Sequence, residues 1–292
     1  MPSDKVTVGL VQMRMDASPE ANLRKAIQLT EQAARKGAQL VCLPELFRTP
    51  YFPIVEDHAN FDLAEGIPGP TTEAMSKVAA QHNITIIAPL FERRTRGLFH
   101  NSLAVLGPDG ALRGKYRKMH IPDDPNFFEK FYFAPGDTGF KPFDAPQGRF
   151  GSLICWDQWY PEAARLMALA GAQVLFYPTA IGYAPPDKDV FPKQREAWRT
   201  IQRSHAIANG VFVGVANRVG QEGELTFWGS SFLADPLGEV LVEGSEDKEE
   251  VLVAECDLGA IDRTRQGWPF LRDRRIDAYQ PLTQRFLDEG SP

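Results

Sequence analysis

Apolar residues recur in two patterns along the first third of the chain. Short apolar runs at 6–11, 40–43 and 85–88 predict buried strands. In the segments 21–36 and 71–82, apolar positions return every three to four residues, which predicts two amphipathic helices. This β-α-β-α-β order predicts largely parallel neighbouring strands with helices on the outer face.

The rest of the chain repeats strand and helix units and adds hairpins. The turn sequences at 108–110 and 235–238 each separate two short apolar runs, which predicts two hairpins. Residues 121–137 are rich in aromatic residues and proline without a clear period, which predicts a long functional loop. Further strands are predicted at 102–106, 112–116, 149–154, 174–177, 211–216, 230–234, 239–242 and 251–256, and helices at 162–170 and 193–209.

The two halves of the chain share this order, and no linker rich in Gly, Ser or Pro separates them. We therefore expect a single domain over residues 1–292, with its core at about 5–257. So many strands against about four long helices favour two sheets stacked face to face, with helices outside. Residues 258–292 are highly charged and lack a core-like period, which fits either a tail packed on a partner subunit or a solvated tail.

The composition narrows the classes of function. A hydrophobic content of 43% and a charged content of 24% are typical of a globular protein. A net charge of −6 argues against nucleic-acid binding, and no apolar run has the length of a membrane span. The three cysteines form no CxxC pair, and the first residues lack a signal-peptide core. We expect a cytoplasmic protein without a disulfide framework or a metal site.

Four residues whose side chains could take part in catalysis lie at predicted strand ends or in the long loop. Glu45, Lys118 and Cys155 each follow a predicted strand, and Glu129 lies in the loop among aromatic residues. The carboxyl ends of parallel strands meet at one edge of a sheet, where α/β proteins form their ligand sites. A thiol, a base, an ammonium group and a second carboxylate at one edge would suit nucleophilic catalysis.

Each of these residues alone also has a purely structural interpretation. Most free cysteines are buried in a core, and a lone glutamate is usually exposed to solvent. His120, close to Lys118, leaves a Cys-His hydrolase open. A non-catalytic binding protein is a further alternative. A metal-dependent hydrolase is a weaker one, because no His, Asp and Glu cluster has metal-ligand spacing.

The segments around the four residues carry a family resemblance. Leu43-Pro-Glu45, Tyr116-Arg-Lys118, Phe128-Glu129-Lys and Ile154-Cys155-Trp-Asp resemble, in this order, motifs of the nitrilase (carbon–nitrogen hydrolase) superfamily. The resemblance extends over residues 6–257. It implies an α/β fold, the four-layer α-β-β-α sandwich of two stacked mixed sheets with helices on the outer faces.

The resemblance also implies a role for each residue of the site. Glu45 would be the general base, Cys155 the nucleophile and Lys118 the cation that binds the oxyanion. Glu129 would be a second catalytic glutamate, and the backbone N–H of Trp156 a second oxyanion donor. No cofactor and no metal ion are implied.

Three longer segments, 131–141, 155–165 and 176–182, are most similar to superfamily members that hydrolyse N-carbamoylputrescine in arginine degradation. The implied reaction is a cysteine-dependent cleavage to putrescine, ammonia and carbon dioxide through a carbamoyl thioester. An amidase for carbamoyl-β-alanine, a carbamoyl amino acid or another amide is the alternative. The expected partners are a small cationic ureido substrate and further copies of this chain, in a homo-oligomer built from dimers, but neither nucleic acid nor a membrane.

The distal ammonium group of such a substrate needs an anionic or aromatic receiver. Acidic residues that follow the strand exit at 179–182 are candidates for this role. We expect Asp187, Asp189 and Glu196 to bind the ammonium group, and Tyr51 and Trp159 to form walls of the pocket.

Overall fold

Fifteen strands and six helices form the described part of the chain, which is residues 5–288 of a computed structural model. The strands are β1 Lys5–Gln12, β2 Leu40–Cys42, β3 Thr85–Thr95, β4 Leu98–Leu106, β5 Leu112–Arg117, β6 Phe143–Ala145, β7 Gly148–Ser152, β8 Val174–Thr179, β9 Gly182–Tyr183, β10 Phe212–Asn217, β11 Val219–Glu222, β12 Leu225–Trp228, β13 Phe232–Ala234, β14 Val240–Glu243 and β15 Glu250–Asp257. The helices are α1 Pro19–Arg35, α2 Pro70–His82, α3 Glu129–Tyr132, α4 Pro161–Leu169, α5 Phe191–Asn209 and α6 Gly259–Gly267.

Two six-stranded mixed sheets form the centre of the molecule. The first has the order β15-β1-β2-β3-β4-β5, and its strands β1, β2 and β3 are parallel. The second has the order β14-β13-β10-β8-β7-β6, with β10, β8 and β7 parallel. Strands β1 and β10 face each other, while α1 and α2 cover the first sheet and α4 and α5 the second. The predicted α-β-β-α sandwich is therefore confirmed.

Alternation of side chains along the strands separates the layers of the core. Val8 and Leu10 of β1 belong to the apolar cluster between the sheets, and Val11 and Val41 to the cluster beneath α1 and α2. A Cβ atom on Gly214 of β10 would lie 3.2 Å from the Leu10 Cδ2, so the sheets approach closely there. Burial of each Val or Leu side chain contributes about 1.5–3 kcal/mol, which holds the strand ends in a common frame.

Local signals fix the helix ends close to the predicted positions. Helix α1 starts two residues before the predicted 21–36, because the Ser18 side chain accepts the N–H of Ala21 at 3.2 Å and Pro19 occupies the first turn. Helix α5 ends at Gly210, whose left-handed φ of 57° closes its last turn.

The main departures from the predicted elements involve polar segments. The strand predicted at 85–88 continues as β3 to Thr95 and forms a long hairpin with β4. Glu92 lies buried in this hairpin, where it pairs with Arg117 at 2.8 Å. The small sheet β11-β12-β9 and helix α6 also escaped prediction, and Ile261 of α6 packs into the core. Among residues 5–288, every helix falls short of the length and hydrophobicity needed to cross a bilayer.

Candidate active site

The two sheets bring Glu45, Lys118, Glu129 and Cys155 together at one edge, as the sequence predicts. Glu45 follows β2, Lys118 directly follows β5, Glu129 begins α3, and Cys155 begins the 3₁₀ turn after β7. The Lys118 Nζ lies 2.9 Å from the Glu45 Oε1 and 2.7 Å from the Glu129 Oε2. Both carboxylates and the ammonium group are completely buried. Such a buried cluster is stable only because the single ammonium group is shared between the two carboxylates.

The thiol of Cys155 is presented by a sharp backbone turn. Cys155 has a φ of 43°, in the left-handed region that residues other than glycine rarely adopt. The Asp157 Oδ2 accepts the N–H of Ile154 at 3.0 Å and closes this turn. The first N–H groups of a helical turn, here including that of Trp156, have no partner within the turn. The predicted oxyanion donor is thus next to the thiol in the chain.

Burial and charge set the resting protonation of the site. Burial, reinforced by the charge of Glu45, raises the pKa of the Cys155 thiol well above its ordinary value. Burial alone would lower the pKa of Lys118, but the charges of Glu129 and Glu45 outweigh it and raise that pKa. At neutral pH the lysine is therefore charged, whereas the thiol is protonated and needs a base before it can attack.

Glu45 has a free oxygen for that proton. Its Oε1 accepts hydrogen bonds from the Lys118 Nζ at 2.9 Å and from the Asn101 Nδ2 at 2.7 Å. Its Oε2 is buried and has no hydrogen-bond partner among the described residues. Asn101 escaped the sequence prediction because it lies in the polar half of β4, which has no apolar alternation.

Tyr51 has a different place from the one predicted. It is only 1% exposed, and its hydroxyl donates a hydrogen bond to the Glu129 Oε1 at 2.5 Å. Tyr51 thus supports the second glutamate and does not form a wall of the cavity. Burial raises the pKa of Glu129, partly against the effect of Lys118.

His120 contacts Asp157 and Tyr160. Its Nδ1 lies 2.7 Å from the Asp157 Oδ1, and its ring stacks on Tyr160 with centroids 3.7 Å apart. The other oxygen of Asp157 accepts the Tyr116 hydroxyl at 2.8 Å. These contacts tie the exit of β5 to the turn at Cys155, so His120 has a supporting position in the site.

A cavity of about 630 Å³ opens beside the thiol. Cys155 and Glu129 line it, as do Trp159 and Asp187, two of the predicted substrate-binding residues. The acidic residue Asp124 also lines the cavity, together with apolar and aromatic side chains. Asp124 escaped prediction because it lies in the long loop, where no strand end indicates its direction.

Besides Tyr51, two predicted substrate-binding residues need correction. Asp189 does not line the cavity, and neither does Glu196. Glu196 lies on α5, accepts a hydrogen bond from the Thr200 hydroxyl at 3.2 Å and borders a separate groove. A helix turns successive side chains by about 100°, so Glu196 and Gln194 of the same helix face different grooves. In residues 5–288, no group of three or more His, Cys, Asp and Glu side chains is arranged to hold a metal ion.

The sandwich and its buried Glu, Lys and Cys residues agree with the hydrolase class that the sequence motifs imply. Residues 7–266 match the family model described as carbon-nitrogen hydrolase, and the chain belongs to this family. It is therefore an enzyme that hydrolyses carbon–nitrogen bonds, as the motifs predicted.

Individual relatives are similar over nearly the whole chain. An N-carbamoylputrescine amidase from Solanum lycopersicum is 42% identical, covering 98% of this chain and 97% of that protein. A citrullinase from Francisella tularensis subsp. tularensis is 37% identical, covering 96% of this chain and 99% of that protein. The crystal structure of a carbon–nitrogen hydrolase from Helicobacter pylori G27 superposes with a TM-score of 0.94 at 46% identity, covering 97% and 100% of the two chains.

Proposed function

We propose that this enzyme hydrolyses N-carbamoylputrescine to putrescine, ammonia and carbon dioxide. The observation that carries the proposal is the cavity beside Cys155, which among the described residues is lined by the acids Asp124 and Asp187, in addition to Glu129, whose charge is paired with Lys118. An acidic cavity suits a substrate with a ureido group at one end and an ammonium group at the other. The similarity to the N-carbamoylputrescine amidase from Solanum lycopersicum supports the same substrate.

The first half-reaction forms a covalent intermediate. The free oxygen of Glu45 takes the proton of the Cys155 thiol, and the thiolate attacks the ureido carbon. The ammonium group of Lys118 and the backbone N–H of Trp156 stabilise the oxyanion. The bond from the ureido carbon to the putrescine nitrogen then breaks. Glu45 returns its proton to that nitrogen, so putrescine leaves and a carbamoyl thioester remains on Cys155.

The second half-reaction regenerates the thiol. Glu45, again a carboxylate, takes a proton from a water molecule as the water attacks the thioester carbon. The carbon–sulfur bond breaks, and the departing thiolate of Cys155 regains the proton from Glu45. The carbamic acid that is released decomposes to ammonia and carbon dioxide. Throughout the cycle, Glu129 holds and orients the ammonium group of Lys118, to which it lies at 2.7 Å.

The lining of the cavity also bears on the competing substrates. Carbamoyl-β-alanine, carbamoyl amino acids and citrulline each carry a carboxylate, which the acidic lining would repel. The side chains described around the cavity include neither lysine nor arginine that could receive this carboxylate. We therefore favour a cationic ureide over the substrate named for the citrullinase relative.

An ammonia-release assay across a panel of ureides and amides tests the proposal. N-carbamoylputrescine should give the highest kcat/KM, ahead of citrulline, carbamoyl-β-alanine and simple amides. A Cys155→Ser variant, as a control, should remain folded and lose activity by at least about 10³-fold. Preferential hydrolysis of zwitterionic citrulline or of an anionic ureide by the wild type would refute the proposed substrate.

We also propose that the chain works as one domain within a homo-oligomer built from dimers. Helices α4 and α5 and the segment after α6 border an exposed groove of about 550 Å³. Leu166, Leu169 and Leu282 at this groove are 45%, 46% and 67% exposed, which suits a subunit interface. The cysteines at 42, 155 and 256 are unpaired, in keeping with the proposed cytoplasmic location.

A further inference from the structure

Arg218, at the junction of β10 and β11, is completely buried behind the loop that carries Glu45. Its guanidinium group donates hydrogen bonds to the backbone carbonyl of Glu45 at 3.0 Å, of Leu46 at 2.7 Å and of Thr49 at 3.0 Å. It also donates to the carboxylate of Glu222 at 2.8 Å. Arg218 lies outside the lining of the cavity, so its contacts serve the protein and not a ligand.

The carbonyls that Arg218 binds belong to a strained turn. Leu46, next to Glu45, has a φ of 49°, which a branched side chain adopts only when its surroundings enforce it. Three carbonyl oxygens converging on one cation would repel each other without it. Arg218 therefore determines the path of the backbone at Glu45, and with it the position of the carboxylate that contacts Lys118.

A second set of contacts extends from Arg218 to the other carboxylate. The Glu222 Oε2 accepts the backbone N–H of Tyr51 at 2.5 Å, and the Tyr51 hydroxyl donates to the Glu129 Oε1 at 2.5 Å. The guanidinium carbon of Arg218 also lies 5.6 Å from the centre of the Tyr51 ring. The same cation thus supports the residues on both sides of Lys118.

We propose that Arg218, with Glu222, is a positioning residue that sets the placement of Glu45 and Glu129 around Lys118. This inference rests on the roles proposed above for these three residues. Arg218 would act on the rate of the chemical steps and not on substrate affinity, because it contacts the backbone at Glu45 and the side chain of Glu222, and does not line the cavity. A displacement of about 1 Å at a reacting group can lower a rate by about 10²-fold.

The Arg218→Lys variant tests the proposal, since lysine keeps the charge but its single ammonium group cannot bind the three carbonyls and the Glu222 carboxylate at once. We expect kcat to fall by about 10- to 100-fold while KM stays within about threefold of wild type. The assay uses whichever ureide or amide the wild type turns over fastest. If N-carbamoylputrescine proves not to be a substrate, the proposed function fails while this test still applies.

An Arg203→Lys variant is the matched control. Arg203 on α5 donates its Nε to the carbonyl of Gly238 at 2.7 Å, and neither residue lines the cavity. It should keep wild-type kcat, which shows that replacement of a carbonyl-binding arginine is not damaging in general. Circular dichroism and thermal unfolding establish that both variants are folded at the assay temperature.

The Glu222→Gln variant tests the proposed positioning role if Arg218→Lys does not fold. It weakens the contacts to Arg218 and Tyr51 and should lower kcat with little change in KM. Wild-type kcat in a folded Arg218→Lys variant would overturn the inference. So would wild-type kcat in Glu222→Gln when the arginine variant is unfolded, or a loss that appears only in KM.

Discussion

The ammonium group of Lys118 is enclosed by two carboxylates, which makes this residue the electrostatic centre of the site. The attraction of Glu129 and Glu45 more than offsets the cost of burying the charge and raises the pKa of Lys118. The lysine is therefore charged throughout the physiological pH range. A fixed charge near the thiol needs no reorganisation when an oxyanion forms, which is why its contribution to the rate should be large.

Replacement of Lys118 and of His120 distinguishes a Glu-Lys-Cys site from a Cys-His site. Lys118→Ala removes the proposed oxyanion donor and leaves two buried carboxylates facing each other, so kcat should fall by about 10²- to 10³-fold or more. His120→Ala removes a contact to Asp157 and should be less damaging. Steady-state ammonia release measures both. A larger loss in His120→Ala would favour the histidine as the base.

At the scale of elements, the long loop supplies an acid that the sequence pattern could not place. Asp124 lies in this loop and Asp187 in the turn before α5, and both line the cavity. If they receive the distal ammonium group, Asp187→Asn together with Asp124→Asn should raise KM for N-carbamoylputrescine about tenfold and change kcat little. Asp189→Asn is the control, because Asp189 does not line the cavity. An unchanged KM in the double variant would place the ammonium group elsewhere.

The hairpin β3-β4 contains a buried ion pair with a pH signature. Burial alone would raise the pKa of Glu92, but hydrogen bonds from Arg117 and Lys115 outweigh it and lower the pKa from 4.5 to about 2. A carboxyl group whose pKa is lower in the folded state stabilises the fold at pH values above its unfolded-state pKa. This contribution is lost as the pH falls toward the folded-state pKa. The loss amounts to about 1.4 kcal/mol for each pH unit between the two values.

Urea unfolding at pH 7 and at about pH 3.5 measures this contribution. Wild type should lose about 1 kcal/mol more than Glu92→Gln between the two pH values, because glutamine does not titrate. The same pH dependence in both proteins would mean that the pKa of Glu92 does not differ between the folded and unfolded states, which would contradict the ion pair.

The elements with clear apolar periodicity were predictable, whereas the polar ones were not. Strand β1 and helix α1 lie within two residues of their predicted bounds, because alternation and capping signals are local. Such patterns do not predict the extension of β3, because the buried charge of Glu92 is neutralised by a partner that is distant in sequence. In the site, the positions of Glu45, Lys118 and Cys155 could be predicted because each residue follows a predicted strand. The places of Asn101 and Arg218 in the site, and the contact of Tyr51 with Glu129, depend on tertiary contacts that no local pattern encodes.

For the whole molecule, the exposed groove beside α4 is the main candidate for subunit contact. Light scattering after size exclusion should give the mass of a dimer or of a multiple of it for wild type. Leu166→Glu together with Leu169→Glu places two charges in the proposed interface and should reduce the mass to that of a monomer. Leu112→Glu is the control, since Leu112 is also exposed but lies on β5. An unchanged mass in the double variant would exclude this surface.

The pairing of the last strand with the first has a consequence for synthesis. All eight residues of β1 pair with β15, so the edge of the first sheet stays open until residue 257 has been translated. A chain that stops before β15 would leave the inner strand β1 exposed, and an uncovered apolar strand edge recruits strands from other copies. We expect prematurely terminated chains to be found in the insoluble fraction of a lysate. Premature termination of translation would then produce aggregates that the cell must remove, and would not produce partly active enzyme.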